Sequence, residues 1–367
     1  MFEIIKNCRV CGESNLKPFF DLGAQPPPDI LLKKRDDPEK KYPLSLVWCE
    51  NCRLVQLDCT VSPEELFSHY VWVTGTARGT KEYAERFYKD LTERVPIPKG
   101  GYVLEIASND GTFLKPFIRG GHTVVGVDPA KNLAEAAERE GIPTKAVFWG
   151  VEEAKKVREE HGLAHVIFAR NVLPHVANTI DFVRGLRECL HEEGVLVIEA
   201  HYAKIILDEL HYDSIYHEHL CYFTLKSLER LLGDAGLYIF DITKSPISGG
   251  SMVIYAKKEK TKENSLLTEY RLSEEREKVN ELSSWQDFAE KSRLHRDKFL
   301  KMLRDAVKRG VVIGWGASAR SSTLLNFAGV NADILSAIID LNPLKQGFYT
   351  AGTHIPIVPP DIGMKNR

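Results

Sequence analysis

The chain has 367 residues, 49 Lys and Arg against 51 Asp and Glu, 43% hydrophobic and 27% charged residues, and seven cysteines. At roughly 150 residues per domain this length predicts two or three domains, with a core large enough to need no disulfide staples. The near balance of charge removes the usual electrostatic reason to expect nucleic-acid or membrane-surface binding. No stretch reaches the ~20 apolar residues of a membrane span. The start, MFEIIKNCRVCG, lacks the apolar run of a signal peptide. A cytoplasmic protein is therefore expected, with cysteines that do not form a disulfide framework.

Residues 1–75 are turn-rich and hold two knuckle-like pairs, Cys8-x2-Cys11 and Cys49-x2-Cys52. Each is followed by residues that allow a tight turn, Gly12 and Glu13 in one case and Arg53 in the other. Two such pairs suit tetrahedral zinc, whereas a redox Cys-x-x-Cys explains one pair but not two. Four thiolates leave no open coordination position, so a structural zinc is expected. Cys59 is then left over as a buried small side chain.

Residues 76–258 form the second unit. KEYAERFYKDLTERV predicts a helix ended by Pro96 and Pro98. Strand-like GYVLEIA, HTVVGVD, TKAVFW, HVIFARN and GVLVIEAHY then alternate with the helices TFLKPFIRG, KNLAEAAEREG, EEAKKVREEHG and TIDFVRGLRECLHEEG. Strands separated in this way imply right-handed crossovers and a doubly wound parallel sheet. After the helix LKSLERLLGDAG, the runs YIFDITKS and SMVIYAKK predict an antiparallel hairpin that closes the sheet's edge.

Such a sheet binds its ligand at the carboxyl ends of its strands. The first end reads Glu105-Ile106-Ala107-Ser108-Asn109-Asp110-Gly111, and the second reaches Asp128 before Pro129. No G-x-G-x-x-G is present, and Glu105 and Asp110 would disfavour a pyrophosphate. Asp128 suits ribose hydroxyls. The pair implies a nucleoside cofactor without pyrophosphate, S-adenosylmethionine, with Glu105, Ala107, Asn109, Asp110, Asp128, Pro129 and Asn171 as candidate contacts. The alternative is that Glu105 and Asp128 only cap the following helices. The element order matches a class I methyltransferase.

HYDSIYHEHLCYF, residues 211–223, is dense in ionisable groups just past the fifth strand. Tyr216, His217, Glu218 and His219 are candidates for acid-base work, since burial can tune such groups toward neutral pH. A structural hydrogen-bond cluster and a second metal site, with His201 and His211, are the alternatives. His175 in RNVLPH points to the same rim.

Residues 259–308 read as a charged helical connector. Residues 309–367 return to strand and helix, and read as a partial Rossmann-like lobe, incomplete as a doubly wound domain. Its small-residue turn GWGASARSS would expose helix amides to an anion. A second strand ends at Asp340, before Lys345.

Taken together, CRVCG, DLGAQP, YPLSLVWCENCRLVQL, LEIASNDGTFL, GVDPA, YHEHLCYFT, SGGSMVIYA, GWGASARSSTLLNFAGV and NPLKQGFYTAGTHIPI resemble the sugar C-methyltransferases that act on nucleotide-linked 4-keto-deoxysugars. The resemblance implies a zinc lobe on Cys8, Cys11, Cys49 and Cys52 that helps cover the substrate, and a central lobe for S-adenosylmethionine. It implies a C-terminal lobe that helps hold the nucleotide diphosphate. The family's Tyr-x-Glu-His chemistry maps to Tyr216, Glu218 and His219, with His175 beside it. Candidate substrate contacts are Tyr70, Trp72, Ser251, Ser318, Arg320 and Lys345. The segment Tyr70 to Thr76 departs from the family's tyrosine-rich pattern.

The implied reaction is enolate formation with His219 as base, supported by Glu218, with Tyr216 and His175 steadying the enolate oxygen. An O- or N-methyltransferase, a non-catalytic zinc-containing binding protein and a nucleic-acid methyltransferase are the competing readings, the last without a basic surface bias to support it.

Overall fold

The computed structural model describes residues 2–28, 30–67, 73–76, 78–245 and 250–364. The N-terminal lobe is built from β1 (Phe2–Ile4), β2 (Leu16–Gln25), β3 (Tyr42–Cys49), β4 (Val55–Leu57), β5 (Cys59–Val61) and the short helix α1 (Pro63–Phe67). β2, β3 and β4 pair antiparallel, and β1 pairs with β5. The two Cys-x-x-Cys segments fold into matching knuckles. Gly12 donates its N–H to the Cys8 carbonyl at 2.9 Å, and Arg53 donates to the Cys49 carbonyl at 3.0 Å. Both take left-handed backbone, with φ of 74° and 68°. Glycine adopts this freely, whereas at Arg53 it carries a steric cost that the knuckle must offset.

The central lobe begins with α2 (Arg78–Arg94) and continues β6 (Tyr102–Ile106), α3 (Lys115–Arg119), β7 (Thr123–Val127), α4 (Lys131–Arg139), β8 (Thr144–Lys145), α5 (Val151–His161), β9 (Ala164–Arg170), α6 (Thr179–Cys189) and β10 (Leu190–His201). Then follow α7 (Ala203–Asp208), β11 (Cys221–Tyr222), α8 (Leu225–Asp234), β12 (Tyr238–Ser245) and β13 (Ser251–Lys257). The sheet order is β12-β13-β10-β9-β6-β7-β8. β6 to β10 pair in parallel, and β13 runs antiparallel between β10 and β12. This is the class I methyltransferase sheet with the expected hairpin at its edge. The third expected strand, TKAVFW, pairs only at Thr144 and Lys145. It is the edge strand, with β7 as its one strand partner among the described residues, and Trp149 turns to α6, donating to the Phe182 carbonyl at 3.3 Å.

Both sheet faces are buried, as a parallel sheet requires. Tyr102, Leu104 and Ile106 face a core that runs without a break into the zinc lobe through Phe20, Leu46 and Trp48. Val103, Val166, Phe168, Val195 and Val197 face a second core under α2 and α3. Period-2 alternation therefore sends Glu105, Arg170, Glu199 and His201 to this second face at the carboxyl rim.

The expected connector is two helices, α9 (Ser265–Arg276) and α10 (Leu282–Val307). The C-terminal lobe holds β14 (Ile313–Trp315), α11 (Ala319–Ala328), β15 (Ala337–Ile339), β16 (Ile357–Val358) and α12 (Pro360–Gly363). Its strands form a parallel sheet in the order β14-β15-β16, a small Rossmann-like unit. The lobes interlock. β11 leaves the central lobe to pair with β4. Phe20 packs edge-on against Phe288 of α10 and Phe327 of α11, at 6.0 and 5.7 Å between ring centroids. Leu32 bridges to Tyr349. Among the described residues no helix is long and apolar enough to cross a membrane.

Candidate active site

The knuckles bring Cys8, Cys11, Cys49 and Cys52 together, with all four sulfurs within 4.8 Å of one another. Cys8 lies 3.5 Å from Cys52, and Cys11 3.5 Å from Cys49. Tetrahedral zinc with Zn–S bonds of about 2.3 Å needs sulfurs about 3.8 Å apart, so the cluster fits the ion. Hydrogen bonds from Cys52 and Cys8 pull the Cys49 thiol far below its usual range, while the same crowding pushes Cys52 far above it. Four such sulfurs cannot all ionise without a cation. Gln56 donates to Cys8 Sγ at 3.1 Å, a contact that suits a thiolate. Cys59, Cys189 and Cys221 are buried thiols apart from this group.

At the rim of the sheet, Ala107, Asn109 and Asn171 have left-handed φ of 60°, 53° and 51°. Strained non-glycine backbone of this kind gathers where a ligand is held. Asp128 accepts the Asn109 N–H at 2.8 Å and the Ala130 N–H at 2.9 Å. It thus braces the loop after β6, and neither it nor Glu105 caps the helix that follows. Glu105 is 3% exposed, and its Oε2 finds no partner among the described residues. Burial raises its carboxyl well above the usual range, against the pull of Arg170 and with the push of Asp110 and Asp128. An orphaned, reluctant carboxylate fits a cationic ligand, which a sulfonium cofactor is. Pro129 lies between Asp128 and Ala130 in the same loop. The segment before α2 covers this turn: Thr74 donates to Asn109 Oδ1 at 2.8 Å and Gly75 to Asp110 Oδ2 at 3.0 Å. Tyr70 and Trp72 lie outside the described residues.

His219 sits in the loop before β11. Its Nδ1 faces the Ser214 carbonyl at 2.8 Å and its Nε2 the Tyr216 hydroxyl at 2.9 Å. A carbonyl can only accept, so Nδ1 carries the proton and Nε2 takes the Tyr216 O–H on its lone pair. Burial, then the neighbouring His175, lowers the imidazolium pKa well below the ordinary histidine value. His175 lies 5.0 Å away between ring centroids, and burial lowers it to about 4. Both rings are thus neutral. Glu218 is buried in the same turn, but the Ser214 carbonyl orients His219. His217 turns away: its Nε2 faces the carbonyls of Tyr42 and Pro43 at 3.3 and 3.2 Å.

Arg320 reaches from α11 to this loop and pairs bidentately with Asp213 at 2.9 and 2.8 Å. Ser318 caps α11 through a reciprocal bond with Ser321. Lys345 Nζ donates to the Ala317 carbonyl at 2.8 Å, over the same turn. Ser251 is buried opposite His201 across β10 and β13. The rim thus carries the turn after β6, Tyr216, His219, His175, Ser251 and Arg320, while Ser318 and Lys345 lie at the C-terminal lobe's own turn.

One part of the rim escapes sequence reading. Arg170 donates to Glu199 Oε2 at 2.7 Å, and Ser245 to Glu199 Oε1 at 2.6 Å. Tyr83 of α2 bonds the same carboxylate at 3.3 Å. Arg170 also lies 3.3 Å over the Phe113 ring. This buried pair ties α2, β9, β10 and β12 together. The available signal was a charged residue ending two otherwise apolar strands.

Residues 8–67 match the family model of a zinc binding domain, 80–241 that of a methyltransferase domain and 246–367 that of a C-methyltransferase C-terminal domain. The C-methyltransferase NovU of Streptomyces niveus is 30% identical over 362 residues, 97% of this chain and 86% of NovU. Among solved structures, magnesium protoporphyrin IX methyltransferase (ChlM) of Synechocystis is 14% identical with a TM-score of 0.38, over 48% of this chain and 83% of its own. The YcgJ protein of Bacillus subtilis is 13% identical with a TM-score of 0.37, over 49% and 100%. With a zinc-binding lobe, a methyltransferase sheet and a matching C-terminal lobe in one chain, the protein belongs to the C-methyltransferase family and is an S-adenosylmethionine-dependent methyltransferase.

Proposed function

We propose that the enzyme methylates a carbon of a nucleotide-diphosphate-linked keto-deoxysugar, through an enolate formed by His219. The observation that carries this reading is the Ser214–His219–Tyr216 chain, which fixes a neutral imidazole at a buried rim with its Nε2 lone pair held by the Tyr216 O–H until substrate displaces it. The units 1–75, 76–258, 259–308 and 309–367 serve as zinc lobe, methyltransferase lobe, connector and nucleotide-holding lobe.

S-adenosylmethionine, when bound, supplies an electrophilic methyl group. Glu105, Ala107, Asn109, Asp110, Asp128, Pro129 and Asn171 would hold it. The substrate's ketone acidifies the neighbouring C–H, and His219 Nε2 takes that proton. The Tyr216 hydroxyl, freed from Nε2, and the neutral His175 donate to the enolate oxygen. Ser214 keeps the proton on Nδ1, so the base stays in its reactive tautomer. Ser318 and Lys345 contact the diphosphate at the α11 turn. Arg320, held by Asp213, ties the C-terminal lobe to the catalytic loop. Tyr70, Trp72 and Ser251 complete the substrate contacts.

The test is solvent deuterium exchange at the carbon beside the ketone, with carbon NMR of the product. Wild type should exchange and yield a carbon-linked methyl, and His219→Asn should lose both by about 100-fold or more. Full exchange in that variant removes His219 as base. An oxygen- or nitrogen-linked methyl gives the alternative chemistry.

A further inference from the structure

His201 ends β10 on the face that carries Glu199, and it pairs with Ser251 across β13. It is 8% exposed, yet its Nε2 is buried without a hydrogen-bond partner among the described residues. An unbonded polar nitrogen in a core costs free energy, so the position calls for a ligand atom. His211 lies 6.2 Å away between ring centroids, bonds Glu209 through Nε2 at 3.0 Å and leaves its Nδ1 buried and unbonded as well. Asp213, two residues on, takes Arg320. His201 and Arg320 both stand near enough to His219 to oppose its protonation. Together these groups lie beside His219.

The group around His201 is polar. Asp213 neutralises Arg320. Burial, then His211 and Arg320, hold the His201 ring neutral, with its pKa at about 4. A phosphate or carboxylate would need a cation or several N–H donors there. A hydroxyl both donates and accepts, so it satisfies a neutral imidazole nitrogen in either tautomer. We propose that His201 Nε2 hydrogen-bonds a ring hydroxyl of the sugar and thereby selects which keto-sugar the enzyme accepts. The inference rests on the keto-sugar reading above.

The probes are thymidine diphosphate-linked 4-keto-6-deoxyglucose and its analogues lacking the 2- or the 3-hydroxyl. The variants are His201→Leu, which removes the hydrogen bond, and His201→Gln, which keeps an amide able to donate or accept. Folding is checked by circular dichroism and cofactor binding by calorimetry. In wild type, loss of one hydroxyl should raise KM by roughly tenfold, the worth of one hydrogen bond. His201→Leu should raise KM for the hydroxylated sugar by a similar factor and abolish the preference between the sugars. His201→Gln should restore most of both, and the acid limb of the pH profile should stay in place, because His201 is not the base. A folded His201→Leu variant that keeps wild-type KM and preference overturns the inference alone, as does a Gln variant as impaired as Leu. A wild type that turns over none of these sugars overturns the inference together with the reading beneath it.

Discussion

At the end of β6, Ala107 donates its N–H to the Val127 carbonyl at 2.7 Å, and at the end of β14, Gly316 donates to the Ile339 carbonyl at 2.7 Å. In the first turn Asp128 accepts from Asn109 and Ala130 at 2.8 and 2.9 Å. In the second, Asp340 accepts from Ala317 and Asn342 at 2.7 and 2.8 Å. The two Rossmann-like units thus share one device: an aspartate at the end of the second strand holds the turn after the first. The surroundings differ. The first turn is buried under residues 74–76 and carries the orphaned Glu105. The second is half-open, has Gly314 where the other has Glu105, leads into a capped helix and carries Lys345. One backbone frame therefore carries a buried carboxylate in one lobe and a lysine in the other.

Steric demand is the widest difference. Gly111 has φ of 72°, and a Cβ there would lie 2.4 Å from Cδ1 of the fully buried Ile142. Gly316 has φ of 89° with nothing within 4 Å. Gly111→Ala should cost about 2–4 kcal/mol and remove cofactor binding, whereas Gly316→Ala should cost about 1–2 kcal/mol and leave it intact. Urea unfolding with calorimetry reads both; equal costs would break the comparison.

Charge is the next. Burial keeps the free Glu105 carboxyl protonated to higher pH than an ordinary glutamate. A cationic cofactor favours the carboxylate and lowers that pKa, so binding should release a proton and tighten as pH rises through the free protein's value. Calorimetry in buffers of different ionisation enthalpy should show the release, and Glu105→Gln should abolish it and weaken binding about tenfold. Proton uptake would sink the assignment.

The smallest effect belongs to the second turn. Lys345→Ala should weaken nucleoside-diphosphate binding about threefold to fivefold, flatten its salt dependence and leave S-adenosylmethionine binding alone. An equal loss for both ligands would mean that the two turns are not electrostatically distinct.

What the sequence by itself determined is local. Two knuckles follow from Cys-x-x-Cys and the turn residue after each, because a few backbone bonds close each knuckle. The sheet follows from apolar strands alternating with helices, because period and spacing are properties of a short window. Tyr216, His217, Glu218 and His219 were legible as one cluster because they are consecutive, but the expected support of His219 by Glu218 gives way to bonds with Tyr216 and Ser214. The edge strand TKAVFW was overread, because among the described residues β8 pairs on one side only and its length depends on a partner. Only the tertiary structure decided that the Ser214 carbonyl orients His219, that Arg170 pairs with Glu199, that Asp213 claims Arg320 from 107 positions away and that His201 Nε2 is buried without a hydrogen-bond partner among the described residues. Protonation and tautomer depend on burial and on which distant groups are brought near, and neither is set by any stretch of chain taken alone.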